Sequence, residues 1–370
     1  MTRARSIADI GDDVAAGGSL VTTESPSLGR RNLIINGAMQ VAQRGTSSTN
    51  TSDGSYNTVD RWRLGRYALD NISVTQEQSS DSPDGFSNSW KLTMTTPESA
   101  LATDEFFYVH QRIEGQNLQH LAYGTSSAKT MTCSFWVKSS VTGTYAVNFH
   151  QNEASAYTLG RTYTINSANT WEYKTVEIPG DTSGNLDNDN GPALFVMFFL
   201  SAGSDWKGTD NSTWGAYSSG KWAEGHDVDV ITQSGATWQI TGVQLEVGSV
   251  ATPFEHRSYG EELALCMRYF ESSNETGELS YMPMAGYRSS ELYGTYLYKV
   301  KKRTTPTISF NSTNWNIYSA GASRTFTSAN VDGQGISNCA LRIVGSGWTV
   351  GHAVFAKNPD PNAIQIDAEL

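Results

Sequence analysis

The chain has 370 residues, of which 17% are charged, against about 25% in an average globular chain, while aromatic residues reach 11%. Its formal net charge of -11 argues against a protein that binds DNA or RNA through a basic surface. No stretch approaches the roughly 18 apolar residues of a membrane span, and residues 1–10 lack the apolar core of a secretory signal. We therefore expect a β-rich protein made in a cytosol, with no nucleic-acid partner and no membrane insertion.

The first 30 residues form a segment of their own. Residues 6–10 can begin a short helix, but Gly11, Gly17, Gly18 and Pro26 interrupt the rest of the segment. Such a segment cannot bury a core alone. Two interpretations stay open, a disordered leader or an arm that orders against a partner.

From Arg31 onward, short strand-like runs alternate with turn residues. In 130–138 the alternation places Met131, Cys133 and Phe135 on one face of a strand. The continuous apolar run 195–200 predicts a central strand that is covered on both sides. The runs predict two stacked antiparallel sheets. They lie at 32–39, 72–76, 89–95, 106–113, 130–138, 145–150, 161–165, 172–178, 194–200 and 237–247.

Residues 259–271 form the one convincing helix, with acidic residues at its start. Apolar side chains occur at nearly every position from Leu263 to Phe270, so the helix is expected to be buried between domains or subunits. We predict a homotrimer with Leu263, Met267 and Phe270 at the oligomer interface, a junction within one chain being the alternative. After it, a second, smaller β domain is predicted from strands at 279–287, 292–300, 305–310, 314–319, 324–327, 340–344 and 349–356.

The sequence carries none of the common catalytic motifs. Gly-x-Ser-x-Gly, His-Glu-x-x-His, a phosphate-binding glycine loop and Cys-x-x-Cys are all missing. The six histidines are scattered, and Cys133, Cys266 and Cys339 are expected to be small buried hydrophobes. We therefore predict a protein that is not an enzyme. A pair of carboxylates placed for glycoside cleavage stays an open alternative.

The stretch 181–191 is rich in Asp and Asn, which are the oxygen ligands that calcium takes. Asp187 and Asp189 are the candidate ligands of a structural calcium ion, and no other cofactor is predicted. A polar turn between strands is the alternative interpretation.

Flat aromatic side chains in polar surroundings are typical of glycan sites, because sugar rings present apolar C–H faces while their hydroxyls bind polar side chains. Trp206, Trp214 and Trp222 lie in a loop-like segment rich in Ser and Gly. A single Trp is nevertheless more often part of a core. The predicted glycan-binding residues are Trp206, Trp214, Trp222, Trp136, Trp171, Tyr173, Trp315 and Trp348.

Two stretches carry a family resemblance. Residues 31–45 (RNLIINGAMQVAQRG), followed by Asp60-Arg61-Trp62, resemble the opening of a module of tail-fibre and other virion proteins of tailed bacteriophages, particularly marine phages and cyanophages. Residues 238–248 (WQITGVQLEVG) and 252–270 look like its closing strand and helix. The same region is similar, more distantly, to jelly-roll carbohydrate-binding modules.

The resemblance implies an all-β fold, namely a jelly-roll β-sandwich followed by one short helix and a smaller C-terminal β domain. The expected parts are a virion-attachment arm for phage tail or capsid proteins (1–30), a carbohydrate-binding-like jelly roll (31–258), a connecting helix (259–272) and a distal β domain (273–370). The expected function is that of a virion tail fibre that attaches to host surface polysaccharide. A purely structural virion protein, as head decoration or tail adaptor, is the alternative, ahead of a polysaccharide depolymerase.

Overall fold

The computed structural model describes residues 30–50, 56–69, 72–208, 213–273, 280–310, 314–358 and 362–370. The predicted arm (1–30) therefore lies outside the described residues except for Arg30. The described chain is all-β, as predicted, with one α-helix and three short 3-10 helices at Gly115–Asn117, Gln119–Leu121 and Ser219–Lys221. No helix within these ranges has the length and apolar character needed to cross a membrane.

The N-terminal part is a sandwich of two six-stranded sheets. Sheet A has the strand order β1-β3-β4-β12-β6-β9, and sheet B has the order β11-β8-β7-β10-β5-β2. From β4 to β7 the chain changes sheet at each strand, and it changes again at β9 and β10, which is the jelly-roll connection. The strands are β1 (Ser47–Asn50), β2 (Arg63–Tyr67), β3 (Ser73–Ser79), β4 (Ser89–Thr96), β5 (Phe106–Glu114), β6 (Met131–Ser139), β7 (Gly143–Gln151), β8 (Tyr157–Ile165), β9 (Glu172–Ile178), β10 (Pro192–Ala202), β11 (Gly215–Ala216) and β12 (Thr237–Val247).

Alternating side chains fill the space between the two sheets, as the sequence predicts. Met131, Cys133 and Phe135 of β6 are fully buried in this core. Strand β10 lies at the centre of sheet B, and its apolar residues are buried on both faces. This confirms the prediction of a central strand from the unbroken apolar run. All three cysteines are free and buried, also as predicted.

Residues 32–39 do not form the predicted strand. Asn36 has a φ of 58°, in the left-handed region, which a strand cannot accommodate. Carboxylates from the end of the jelly roll and from the following helix accept the backbone N–H groups instead: Glu255 binds that of Asn32 at 3.0 Å, and Glu262 binds that of Asn36 at 2.5 Å. The apolar pattern therefore predicted the burial of these residues correctly and their strand conformation wrongly.

The helix α1 (Tyr259–Met267) is shorter than the predicted 259–271. Ser258 and Glu261 form a reciprocal capping box at its start. The chain turns after Arg268, and Phe270 already belongs to the next strand, β13 (Phe270–Ser272). The long apolar run thus spans a helix and a strand, which explains why no single helical face is polar.

The C-terminal part is a closed six-stranded barrel with the order β14-β15-β19-β18-β17-β20, next to a three-stranded sheet with the order β13-β21-β16. Because β13 pairs with β21, the last strand of the chain binds the segment directly after α1. The predicted domain boundary at 272/273 therefore falls at the end of a strand that pairs with a strand from the other side of that boundary. The strands are β14 (Ser280–Arg288), β15 (Glu291–Leu297), β16 (Thr307–Phe310), β17 (Asn316–Ser319), β18 (Ala322–Gln334), β19 (Asn338–Ser346), β20 (Ala353–Asn358) and β21 (Ile364–Asp367).

Buried ion pairs join the two parts of the chain and stabilise the C-terminal part. The guanidinium of Arg61 is 1% exposed, stacks on the ring of Tyr269 with its central carbon 3.4 Å from the ring centre, and pairs with Glu369. Lys302 pairs with Glu271 at 2.6 Å, and both side chains are fully buried. An ion pair removed from water is held together by its low-dielectric surroundings, and loss of one partner leaves a costly single charge.

Replacing Glu271 with Gln should therefore lower the free energy of unfolding by about 3–5 kcal/mol, because the ammonium of Lys302 stays buried without a counter-charge. Urea unfolding followed by tryptophan fluorescence measures this. Glu77→Gln is the matched control, since Glu77 pairs with Lys91 at 3.6 Å while both side chains are about a third exposed; it should cost at most about 1 kcal/mol. Equal losses in the two variants would contradict the prediction.

Candidate functional site

Two aromatic side chains lie side by side on the outer face of sheet A. Trp136 on β6 points outward because its neighbours Phe135 and Val137 point into the core. Tyr173 on β9 is its direct cross-strand partner, with ring centres 5.3 Å apart and ring planes tilted by 50°. Tyr173 is 45% exposed and contributes nothing to the core, so these rings are available at the surface.

The carboxylate of Asp81 holds three neighbouring side chains in place. Asp81 lies in the loop after β3 and accepts hydrogen bonds from Lys138 Nζ at 2.7 Å and from the indole N–H of Trp171 at 3.2 Å. It also accepts one from the amide of Gln239 at 3.2 Å. The Lys138 ammonium lies 5.8 Å from the centre of the Trp171 ring. One exposed carboxylate thereby fixes an aromatic plate, a cation and an amide beside each other.

We call Trp136, Trp171, Tyr173, Asp81, Lys138 and Gln239 together the sheet A patch. The hydrogen bond from Lys138 is the largest cause that keeps the pKa of Asp81 below its usual value, so this carboxylate is an acceptor at neutral pH. The patch therefore offers fixed charges of both signs next to aromatic surface.

An aromatic cluster of the protein itself covers part of the outer face of sheet A at β12. Phe86, Phe254 and His256 pack on each other with ring centres 4.9–5.3 Å apart. The Phe86 ring lies over Gly242, where a Cβ atom would come within 2.6 Å of it. This aromatic cover lies on β12, next to β6, and leaves the β6–β9 side with the sheet A patch accessible.

Two of the predicted tryptophans lie on the outer face of sheet B, in a second aromatic cluster. Trp206 packs edge-on against Phe106, with ring centres 4.7 Å apart, and donates its indole N–H to the carbonyl of Asp104 at 2.7 Å. Trp222 packs against His150 and Tyr217 at 4.8 and 5.1 Å. Both indoles are half-buried and serve as a lid over the apolar outer side chains of β10.

The other predicted tryptophans have structural surroundings. Trp214 donates its indole N–H to the carbonyl of Pro179 at 2.7 Å and packs on Tyr123. Trp315 and Trp348 are 6% and 7% exposed and belong to the core of the barrel. The structure therefore brings Trp136, Trp171 and Tyr173 together, and places the remaining five candidates elsewhere.

The side chains predicted for a trimer interface are largely covered within one chain. Met267 and Phe270 are 6% and 2% exposed, and the Arg44 guanidinium stacks on the Phe270 ring at 3.5 Å. Leu263 is half-buried. The apolar character that suggested subunit contacts is thus accounted for by contacts inside the chain, and the homotrimer stays a prediction.

The acidic side chains of 181–191 are engaged within their own loop. Asp187 accepts a hydrogen bond from the amide of Asn185 at 2.9 Å, and Asp189 accepts one from the backbone of Gly191 at 2.8 Å. Across the part of the chain that the structure describes, no three His, Cys, Asp or Glu side chains come together as metal ligands. Calcium binding at Asp187 and Asp189 stays a prediction.

Sequence analysis did not single out three members of the sheet A patch. Lys138 carried a signal, because strand alternation puts it on the same face as Trp136. Gln239 carried the same signal on β12. Asp81 carried none, since it lies in a turn 57 residues before Lys138 in the sequence and meets it only in the folded sheet.

No family model matches this chain, and no curated protein matches it in sequence. Solved structures overlap it in part. A putative sugar binding protein from Bacteroides thetaiotaomicron VPI-5482 is 14% identical and covers 59% of this chain and 100% of its own, with a TM-score of 0.33. A family 11 carbohydrate-binding module from Clostridium thermocellum, in complex with a β-1,3-1,4-mixed-linked tetrasaccharide, is 14% identical and covers 56% of this chain and 98% of its own, with a TM-score of 0.28.

The enzymatically active domain of tailspike protein 4 from bacteriophage CBA120 is also 14% identical and covers 59% of this chain, with a TM-score of 0.32. The present chain spans only 22% of the length of that tailspike. At these identities and TM-scores, none of the overlaps identifies a ligand for this chain.

The sheet B cluster makes stability depend on pH through His150. Burial lowers the pKa of His150 to about 4, so the unfolded chain takes up a proton near pH 6.5 that the folded chain refuses. Stability must therefore fall as the pH drops through this window, by roughly 3 kcal/mol from this group. His150→Gln cannot take up the proton, so urea unfolding should show a shallower loss between pH 7 and pH 4 than in the parent. The exposed His352→Gln is the control, and a parallel pH dependence in all three proteins would contradict the assignment.

Proposed function

We propose that this protein is a glycan-binding adhesin, and that the sheet A patch is its binding surface. The observation that carries the proposal is the arrangement around Asp81, where an indole, a lysine and an amide are held beside the exposed ring of Tyr173. These side chains do not contribute to the core of the sandwich, because they lie on the outer face of sheet A. Surface aromatic rings with a polar handle are typical of recognition surfaces.

The chemistry of the patch suits a sugar chain. The rings of Trp136, Trp171 and Tyr173 offer apolar faces on which C–H groups of pyranose rings stack. Lys138 Nζ has further hydrogen-bonding capacity for hydroxyl oxygens, and the second lone pairs of Asp81 accept from hydroxyl groups. The buried Gln239 amide holds Asp81 in place from below. Binding of this kind needs no bond to be made or broken, and we propose that the protein acts without enzymatic chemistry.

We further propose that the protein serves as the receptor-binding part of a phage tail fibre, attached to the virion through its N-terminal segment. The resemblance of residues 31–45 and 238–270 to phage fibre modules supports this assignment. Individual contacts with a glycan are weak, and several copies on one particle multiply them through effective concentration. A homotrimer is the assembly we propose for this purpose.

Trp136→Ala and Tyr173→Ala should each weaken glycan binding at least about tenfold, which corresponds to about 1.4 kcal/mol, because each removes a stacking face. The measurement is affinity electrophoresis and calorimetry of the full chain with a mixed-linkage β-glucan, a galactan, a xylan and purified bacterial lipopolysaccharide. Tyr259→Ala removes an equally exposed tyrosine, 53% exposed, at the start of α1 and should bind like the parent.

Three outcomes would contradict the proposal. Binding that survives both variants, but is lost in Tyr67→Ala, would place the surface on sheet B, where Tyr67 is 52% exposed. Binding to none of the polysaccharides would favour a purely structural virion protein. Release of reducing sugar during incubation would show a depolymerase.

Asp81→Ala tests the organisation of the patch rather than its stacking surface. Loss of the carboxylate frees the Trp171 indole and the Lys138 ammonium, so affinity should fall about as far as in Tyr173→Ala while the melting temperature changes little, since Asp81 is largely exposed. The matched control is Asp84→Ala in the same loop, also exposed. Equal glycan affinity in Asp81→Ala and Asp84→Ala would show that Asp81 does not organise the binding surface.

A further inference from the structure

A surface cavity lies on the outside of the C-terminal barrel and is formed by residues other than those of the sheet A patch. It has a volume of about 460 Å³ and opens to solvent across strands β14, β15, β19 and β18. Aromatic and charged side chains alone form its lining. They are Tyr287, Arg288, Glu291, Tyr293, Asp332 and Arg342.

Two β-bulges direct side chains into this cavity. The pairing of β14 with β15 shifts between Gly286 and Arg288, which leaves Tyr287 as the extra residue. The pairing of β18 with β19 shifts between Val331 and Gly333, which leaves Asp332 as the extra residue. A bulge re-aims the side chain of its extra residue, and bulges are over-represented next to functional sites. Two independent departures from regular pairing thus converge on one cavity.

Residues in regular cross-strand pairs form the floor of the cavity. Tyr293 lies directly opposite Arg342, and the outward side of β15 also carries Glu291. The carboxylate of Glu291 accepts a hydrogen bond from Arg342 at 2.5 Å and lies 3.6 Å from Arg288. Glu291 is 9% exposed, so it fixes both guanidinium groups from below.

The aromatic wall of the cavity is exposed. The rings of Tyr287 and Tyr293 meet edge-on with centres 5.2 Å apart, and Tyr287 is 58% exposed. The Arg288 guanidinium lies 5.2 Å from the centre of the Tyr287 ring. Tyr287 therefore presents both apolar ring surface and a polar hydroxyl at the mouth of the cavity.

The charges of the cavity cancel. Two guanidinium groups face two carboxylates, and Glu291 already binds both arginines. An ionic ligand would meet as much repulsion as attraction, whereas hydroxyl groups can donate to Asp332 and accept from Arg288 without adding charge. We infer that this barrel pocket binds an uncharged saccharide unit, with Tyr287 as its stacking plate and Asp332 and Arg288 as its hydrogen-bonding partners.

The inference does not depend on the sheet A patch, since it rests on residues of the barrel only. If both surfaces bind, one chain makes two contacts with a host glycan. Linked contacts raise the overall affinity through effective concentration, even where each is weak.

The test uses full-length protein and methyl glycosides of glucose, galactose, mannose and rhamnose as probes, with methyl glucuronide as the charged comparison, followed by saturation-transfer NMR and calorimetry. At least one neutral glycoside should bind, and Tyr287→Ala and Asp332→Ala should each weaken it at least tenfold. Phe355→Ala is the matched control, an aromatic residue 52% exposed on the same barrel and outside the cavity. Melting temperatures of all variants verify folding.

The result separates the two proposals. Binding that is lost in Tyr287→Ala and kept in Trp136→Ala supports the barrel pocket, whatever happens at the sheet A patch. Neutral glycosides whose binding is unchanged in Tyr287→Ala and Asp332→Ala would overturn the barrel pocket and leave the proposed function standing. If methyl glucuronide bound more tightly than methyl glucoside, and this binding were lost in Tyr287→Ala, the inference that the pocket takes an uncharged saccharide would be wrong.

Discussion

The burial of Arg61 is the constraint on which the arrangement of the two β domains depends. Its guanidinium cannot leave water without partners, and the partners come from three places: the Tyr269 ring after the helix, the Glu369 carboxylate at the end of the chain, and the backbone carbonyl of Arg112 in sheet B. The last residues of the chain are thereby fixed against the jelly roll. Strand β21, which precedes them, pairs with β13 and β16 and buries Ile364 and Ile366 in the same core as the barrel.

Because of this junction, the sheet A patch and the barrel pocket belong to one connected unit rather than to two parts on a flexible linker. Lys302 also donates to the carbonyl of Met267 at the end of α1, and Arg303 donates to the carbonyl of Asn190, just before β10 of the jelly roll. Two weak sites held at a defined separation lose less entropy on binding an extended polymer than two sites that move independently.

The sequence was a good guide wherever burial follows strand alternation. The sandwich and most barrel strands were predicted for that reason, whereas the helix near 259 was predicted from its acidic start and helix-forming residues. Residues 32–39 were mispredicted because carboxylates more than two hundred residues away hold their backbone. The tryptophans show the same limit. Trp136 and Trp348 were both predicted to bind glycan, but the position of the neighbouring strands leaves Trp136 half-buried and places Trp348 in the core.

Both proposed sites lie where the chain departs from regular strand alternation, which is the pattern that can be predicted from local sequence. Asp81 organises one site from a turn, and Tyr287 and Asp332 enter the other through bulges that no periodicity announces. Regular strands can present a flat row of side chains, but a pocket for a sugar needs groups that converge from several directions. Irregular positions supply that convergence, so a surface search for ligands in β-rich proteins is best directed to turns and bulges that gather aromatic rings and charges.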